Sequence, residues 1–429
     1  MIGIKSRFLV VGAPGGAPEG PPHLAEARVG ALGARLMPPM LFAGNSLRPG
    51  PPLAARFQSA LSDSMFFEPA VLPEVYHLEV FMAEITSRDR IRACMKRTYA
   101  DRVPIGLILG PFRARILGCS LKDYFQDGKK LAESTVACYE LFEQDSTDIG
   151  WDIVMEAETA GAKLEFPDDS VPRVRKHVLS QKTALSSLKL PHPEKSGRFP
   201  LYLEACRAVV NTLKGPVLSG TVTGPWTTAA SLRGAEQLIL DTMDDPAFVE
   251  ELMRFTTEVT KILGSKVIET SLSLTMGEAA SSCSLISPAI YRKFIKPCHQ
   301  EIVQFFRGKK AGLSMHICGY IDPIMEDILD LGIVALSLDS PSSLQKMIEV
   351  SQKKIALVGN VATSLFVSGT REEIEQSVKE CIRVAAPGGA FIISSGCELP
   401  YNATIERAQF FIQAAKEYGN IERIIKGKE

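Results

Sequence analysis

The sequence predicts a (β/α)8 TIM barrel of the α/β class, preceded by an irregular Gly/Pro-rich extension. Three observations carry that prediction. Past Met82, short apolar runs alternate with helix-length segments, giving eight strand–helix units, the count that closes such a barrel. In the C-terminal half the alternation is tight. Helix 321–331, strand 333–338, helix 342–352, strand 354–358, helix 370–386, strand 390–393 and helix 402–418 follow one another directly, as parallel strands with crossover helices require. Finally, Glu278, His316, Cys318, Asp339, Asn360 and Cys397 fall at the C-terminal ends of apolar runs, where a barrel collects its chemistry. A doubly wound open sheet is the rival arrangement for the same alternation.

The units can be taken in order. Thr86-Ser87-Arg88-Asp89 resembles a capping box and opens a helix to about Thr98. Residues 103–109 form an apolar run that stops at Gly110-Pro111, a strand with its turn. A long helix is expected over 120–144 and a second strand over 149–155. Residues 157–199 are polar and broken by prolines, which predicts an elaborate loop. Helix 201–212 leads to strand 216–222, and helices 231–242 and 246–264 lead to strand 268–276, which ends at Gly277-Glu278. Ser287-Pro288 starts a helix that runs to about Arg307, with proline at its first position. The fifth strand, 312–316, carries His316 with Cys318 just beyond.

Residues 1–82 form a separate, low-complexity region, and the catalytic domain is expected over 83–429. From Met1 to about Leu53 roughly a third of positions are Gly or Pro and the acids are Glu19 and Glu26, a composition that buries too little apolar surface to offset ordering. It fits a flexible extension or an upstream start, with Met82 as the candidate true initiator. A targeting peptide is the further alternative. Gly12 to Gly16 lack the Gly-Lys-Ser/Thr of a phosphate loop.

Composition narrows the function classes. The net charge of -1 supplies no field for nucleic acid or a membrane surface. No apolar run reaches the ~18 residues needed to cross a bilayer. Nine scattered cysteines, an odd number, favour free thiols in a reducing cytoplasm over a disulfide framework. Cys94, Cys119, Cys138, Cys206 and Cys381 lie in helix-like patterns, where cysteine acts as a small core residue.

Side chains at i and i+2 of a strand share a face, so the His316 imidazole and the Cys318 thiol can converge. Cys397 ends a different apolar run, and in a barrel its strand end meets theirs across the mouth. Two thiolates and an imidazole suit zinc and leave a fourth position open for chemistry. A buried histidine beside core cysteines is the plainer reading of His-x-Cys alone. Cys397, in a Gly-Cys turn that packing does not explain, shifts the balance to metal. Cys283 and His299 are extra ligand candidates, and of the two His299, on a helix behind Pro297-Cys298, reads better as structural.

These residues carry a family resemblance. His316-Ile317-Cys318-Gly319, Leu357-Val358-Gly359-Asn360-Val361 and Ser394-Ser395-Gly396-Cys397-Glu398-Leu399-Pro400, with Met276-Gly277-Glu278 and Phe294-Ile295-Lys296-Pro297, resemble the uroporphyrinogen decarboxylase superfamily over about 84–418. Within it the chain looks like the zinc-dependent, cobalamin-linked methyltransferase branch. The resemblance implies a (β/α)8 fold and Zn2+ held by His316, Cys318 and Cys397. It also implies methyl transfer between a corrinoid (cobalamin) supplied by a partner protein and a small thiol or methylated substrate. The decarboxylases' arginine-rich segment is replaced here by Gly110-Pro111-Phe112-Arg113-Ala114-Arg115. Many relatives have Asp-Pro where this chain has Gly277-Glu278-Ala279.

The candidate catalytic residues are therefore Glu278, Asp339 and Asn360. Glu278 is either a fourth, displaceable zinc ligand, a substrate hydrogen bond, or a solvated loop carboxylate. Asp339 and Asn360 either position substrate or cap loops. Two other functions are carried beside methyl transfer: cofactor-free porphyrinogen decarboxylation, which needs a cationic mouth, and a non-catalytic barrel that binds metal or corrinoid.

Overall fold

The computed structural model of the chain describes residues 84–426; the expectations for residues 1–82, Met82 as a start included, lie outside the described residues. Thr86 opens helix α1 (Ser87–Met95) with the expected capping box. Its side chain accepts from the Asp89 N–H, and the Asp89 carboxylate answers at the Thr86 N–H, which satisfies donors that the first turn leaves open.

Nine strands follow among the described residues: β1 (Ser146–Ile149), β2 (Lys163–Glu165), β3 (Arg173–Lys176), β4 (Val217–Thr223), β5 (Ser273–Glu278), β6 (Leu313–Ile317), β7 (Ala335–Leu338), β8 (Ala356–Val361) and β9 (Phe391–Ser395). β2 and β3 pair as an antiparallel hairpin, and the other seven form one parallel sheet in the order β1-β4-β5-β6-β7-β8-β9. The segment around Ile105 and Gly106 closes the ring. It bridges Ile393 on one edge and Ser146 on the other, both parallel. Eight parallel segments thus make the expected barrel, wrapped by helices.

Several boundaries differ from the sequence expectation: the helix expected over 231–242 is two, Pro225–Arg233 and Ala235–Asp244, and the expected loop 157–199 carries the β2–β3 hairpin. The second strand is Ser146–Ile149, and the stretch assigned to it continues into a helix, Met155–Thr159. The helix before β5 runs to Ile268 because Val259, Leu263 and Val267 continue the four-residue spacing that buries one face. Residues 120–144 form two helices, since Asp127 stops one and caps the next by accepting from the Lys129 N–H. No helix among the described residues is long and apolar enough to cross a membrane.

Two cores result. The larger lies between sheet and helices. The smaller sits inside the barrel's N-terminal end, where Ile91 and Cys94 of α1 pack on Ala335, Ala356 and Ile392. α1 is a plug, and the opposite end of the barrel is left for chemistry.

Candidate metal centre

Strand parity decides which side chains reach the barrel mouth. In the parallel register Gly277, His316 and Ser337 are partners across β5, β6 and β7, so they share one inward-facing level. One residue on, Glu278, Ile317 and Leu338 are partners and face the helices. Cys318 returns to the inner face, its N–H donating to the Glu278 carbonyl at 3.2 Å.

His316 and Cys318 therefore converge as their spacing predicts, and Cys397 joins them. Cys318 Sγ lies 3.3 Å from His316 Nε2 and 3.7 Å from Cys397 Sγ, and Cys397 Sγ is 3.5 Å from His316 Nε2. Among the described residues this is the group of three whose donor atoms could hold one ion. The distances can be tested against zinc. Bonds of about 2.3 Å to sulfur and about 2.05 Å to nitrogen, at tetrahedral angles, separate two sulfurs by about 3.8 Å and sulfur from nitrogen by about 3.6 Å. The trio fits. His316 Nδ1 is engaged by Ser337 Oγ at 3.0 Å, which orients the ring and frees Nε2 for the ion.

The electrostatics favour a protonated Cys397 thiol in the absence of a cation. The Cys397 thiol is pushed far up, first by its hydrogen bond with Cys318 and then by burial. Burial works to lower the His316 imidazole, but its hydrogen bond with Cys397 and that group's charge outweigh it, and the net direction is up. Two thiolates this close cannot both ionise without a positive partner.

The turn after Cys318 is held from both sides. Asp339 Oδ2 accepts from the Gly319 N–H at 2.7 Å, and Ser342 Oγ donates to the Gly319 carbonyl at 2.8 Å. Gly319 has φ +79°, and a Cβ there would meet Ser284 Oγ at 2.7 Å and Ser282 Oγ at 2.9 Å, so both backbone and space require glycine. Asn360 Nδ2 donates to the carbonyls of Asp339 and Ser342, at 3.3 and 3.1 Å. Asp339 and Asn360 thus act on the loops that carry the trio.

The expectation for Glu278 is corrected. It is neither beside the trio nor solvated. It is fully buried, with Oε1 accepting from the Trp226 N–H at 3.1 Å and Oε2 from Thr227 N and Oγ1 at 3.0 and 2.5 Å. His299 Nε2 lies 3.0 Å from Oε1, and the Tyr291 hydroxyl 3.2 Å from His299 Nδ1. With Nε2–H donating to the carboxylate, Nδ1 accepts from tyrosine. Its position in the register points it away from the mouth. His299 is structural, as expected, and Trp226 is core.

Sequence reasoning missed Ser337, Glu398, Asp148 and Arg113. Ser337's signal was its parity with the inward face of β7; Glu398's was its place directly after Cys397. The half-buried Glu398 carboxyl is pushed up to about 7 by burial and then by the Asp148 charge. Gly110 makes room for it, since a Cβ there would lie 2.7 Å from Glu398 Oε2. Arg113 is fully buried, with its Nε left without a hydrogen-bond partner. It pairs with Asp148 Oδ1 at 3.2 Å and donates to the carbonyls of Asp148 and Gly150, at 2.6 and 3.3 Å.

Residues 86–418 match the uroporphyrinogen decarboxylase (URO-D) family. The chain belongs to that family. Among its relatives, the methylated-thiol–coenzyme M methyltransferase of Methanosarcina mazei is 25% identical over 362 residues, 80% of this chain and 94% of that protein. The methylcobamide:CoM methyltransferase MtbA of Methanosarcina acetivorans is 22% identical, over 79% of this chain and 99% of its own. A solved methyltransferase from Methanosarcina mazei superposes with a TM-score of 0.71 at 22% identity, covering 78% of this chain and 99% of that one. At that identity the superposition shows the fold, and this URO-D family barrel shares it.

Proposed function

We propose that this URO-D family protein is a zinc-dependent methyltransferase that moves a methyl group between a corrinoid carried by a separate protein and a small thiol. The observation that supports it most is the trio His316, Cys318 and Cys397, whose donor atoms have tetrahedral zinc spacing. Relatives named as coenzyme M methyltransferases, one of them acting with a methylcobamide, support the transfer chemistry. When bound, zinc would supply the charge that keeps an incoming thiol deprotonated at neutral pH.

The chain's own residues do the rest. Ser337 holds the imidazole in the ligand-ready orientation. Asp339, Ser342 and Asn360 fix the turn that aims Cys318. Glu278 ties the ends of β4 and β5 to the helix Lys296–Gly308 through His299. A methylated donor passing its methyl group to reduced corrinoid would use the same open position in the opposite direction. The nine cysteines are free thiols, in keeping with a cytoplasmic setting. Porphyrinogen decarboxylation calls for cations at the mouth; the arginine that stands there, Arg113, is already paired to Asp148.

The test is metal content. Purified protein should carry about one zinc per chain, and Cys318→Ala and Cys397→Ala should each drop it below about a tenth. Full occupancy in either variant would sink the three-ligand assignment. Methyl transfer to a thiol should then require methylcobalamin or a methylated corrinoid protein.

A further inference from the structure

His316 and Cys318 are fixed in different ways. His316 lies within β6 and has a ladder partner on each side, Gly277 and Ser337. Cys318 lies past Ile317, the last paired residue of β6, so the ladder does not set its position. Its N–H donates to the Glu278 carbonyl at 3.2 Å, and Tyr320 is tied through both backbone groups to the segment after β5. The Tyr320 carbonyl accepts from the Cys283 N–H at 2.8 Å, and the Tyr320 N–H donates to Ser284 Oγ at 2.9 Å. The Cys318 turn therefore depends on residues 278–284 on one flank, as it does on Asp339 and Ser342 on the other.

Residues 278–284 are anchored in turn to the helix Pro225–Arg233. Thr227 of that helix is buried, and its hydroxyl makes two bonds. It donates to Glu278 Oε2 at 2.5 Å and accepts from the Ala280 N–H at 3.1 Å. The Thr227 N–H adds a second donor to Oε2 at 3.0 Å, and His299 lies 3.0 Å from Oε1. Stability alone does not call for a carboxylate here, because well-packed apolar side chains serve a fold about as well as buried charged groups do. What the hydroxyl and the carboxylate add is direction: together they fix the end of β5 and the backbone N–H two residues beyond it.

Taking the trio as a zinc site, we propose that Thr227 is a positioning residue for the ligand Cys318, acting through Glu278 and Ala280. A metal site needs its ligands held to within about 0.5 Å, and partners outside the ligand set tune affinity by holding those ligands in place. The Thr227 hydroxyl bonds to Glu278 and Ala280, and its effect passes to Cys318 by two routes. One is the Glu278 carbonyl, which receives the Cys318 N–H; the other is the segment that binds both backbone groups of Tyr320. Freed of the hydroxyl, the end of β5 and the segment after it would settle over a wider range of positions, and the Cys318 thiol with them.

The experiment titrates the full chain with Zn2+ against a chelator, and with Co2+ followed by its ligand-field and thiolate absorption. Thr227→Val keeps the side chain's shape and removes both hydroxyl bonds. Zinc affinity should fall about tenfold, and the cobalt bands should shift. Thr227→Ser keeps the hydroxyl and should restore both. Ser284→Ala, at an exposed position, removes only the bond to the Tyr320 N–H and should move the bands the same way with a smaller loss of affinity. Parent affinity and parent bands in Thr227→Val, or in Ser284→Ala where Thr227→Val does not fold, overturn the proposal and leave the zinc reading standing. Failure of Thr227→Ser to restore them overturns it as well, since the loss would then come from packing. A parent chain that binds neither metal overturns both.

Discussion

Glu278 and Glu398 both sit at the C-terminal side of barrel strands, and they have opposite fates. Glu278 is fully buried and engaged by two backbone N–H groups, the Thr227 hydroxyl and His299. Glu398 is half-buried beside Cys397, without a hydrogen bond among the described residues and coupled to the charges of Asp148, Arg113 and His316. The difference comes from what each carboxylate meets. Glu278 ends a strand against the N-terminus of the helix Pro225–Arg233 and becomes a structural tie; Glu398 lies past the end of β9 and packs over Gly110. The sequence neighbourhood of each, Gly277-Glu278 and Gly396-Cys397-Glu398, does not distinguish them.

That contrast can be broken most directly at Glu278. Glu278→Ala would leave His299 and two backbone donors buried without an acceptor, and should lower stability by roughly 3–5 kcal/mol, measured by urea denaturation. A loss under about 1 kcal/mol would mean that the tie is not structural.

Glu156 is an intermediate case that sharpens the comparison. It is fully buried, its Oε1 accepts from the Thr223 N–H at 2.8 Å, and its Oε2 has no partner. Burial pushes its carboxyl from the ordinary 4.5 up to about 7. The folded-state value lies above the unfolded one, so the protonated form favours folding. This contribution is complete below pH 4.5 and is lost as pH rises through about 7. Glu156→Gln stays neutral, and relative to the parent it should gain roughly 2–3 kcal/mol of stability between about pH 5 and pH 8. Parallel denaturation curves for the two proteins at both pH values would show whether the shift exists.

Ser337→Ala removes the hydrogen bond to His316 Nδ1 without touching a ligand. Zinc affinity should fall about 10- to 100-fold, as for other partners of metal-bound histidines, in competition titrations with a chelator. An unchanged affinity would show that packing alone orients the ring. The smallest effect is expected at the mouth. Glu398→Ala should change stability by no more than about 0.5 kcal/mol, in contrast to Glu278→Ala. A large loss would show that Glu398 is a second structural tie.

Much of the barrel and of its trio was legible in the residues. Alternation of apolar runs with helical segments is a local signal, and so is the two-residue period that brings His316 and Cys318 to one face. A cysteine after a glycine at another strand end completed the group once the ring was assumed. Boundaries were less legible where an apolar run served two elements, as at Ile268, whose helix outlasted its apparent strand.

The sequence by itself therefore determined the (β/α)8 alternation and the candidate ligands His316, Cys318 and Cys397. Only the tertiary structure decided that Glu278 turns away from the mouth, that Ser337 holds His316, and that Asp339 and Asn360 serve the Cys318 turn. The physical reason is register. Which face a strand residue addresses is set by pairing with strands distant in the chain, and a shift of one residue exchanges core for lumen. Spacing within a segment survives translation along the strand; its absolute phase does not.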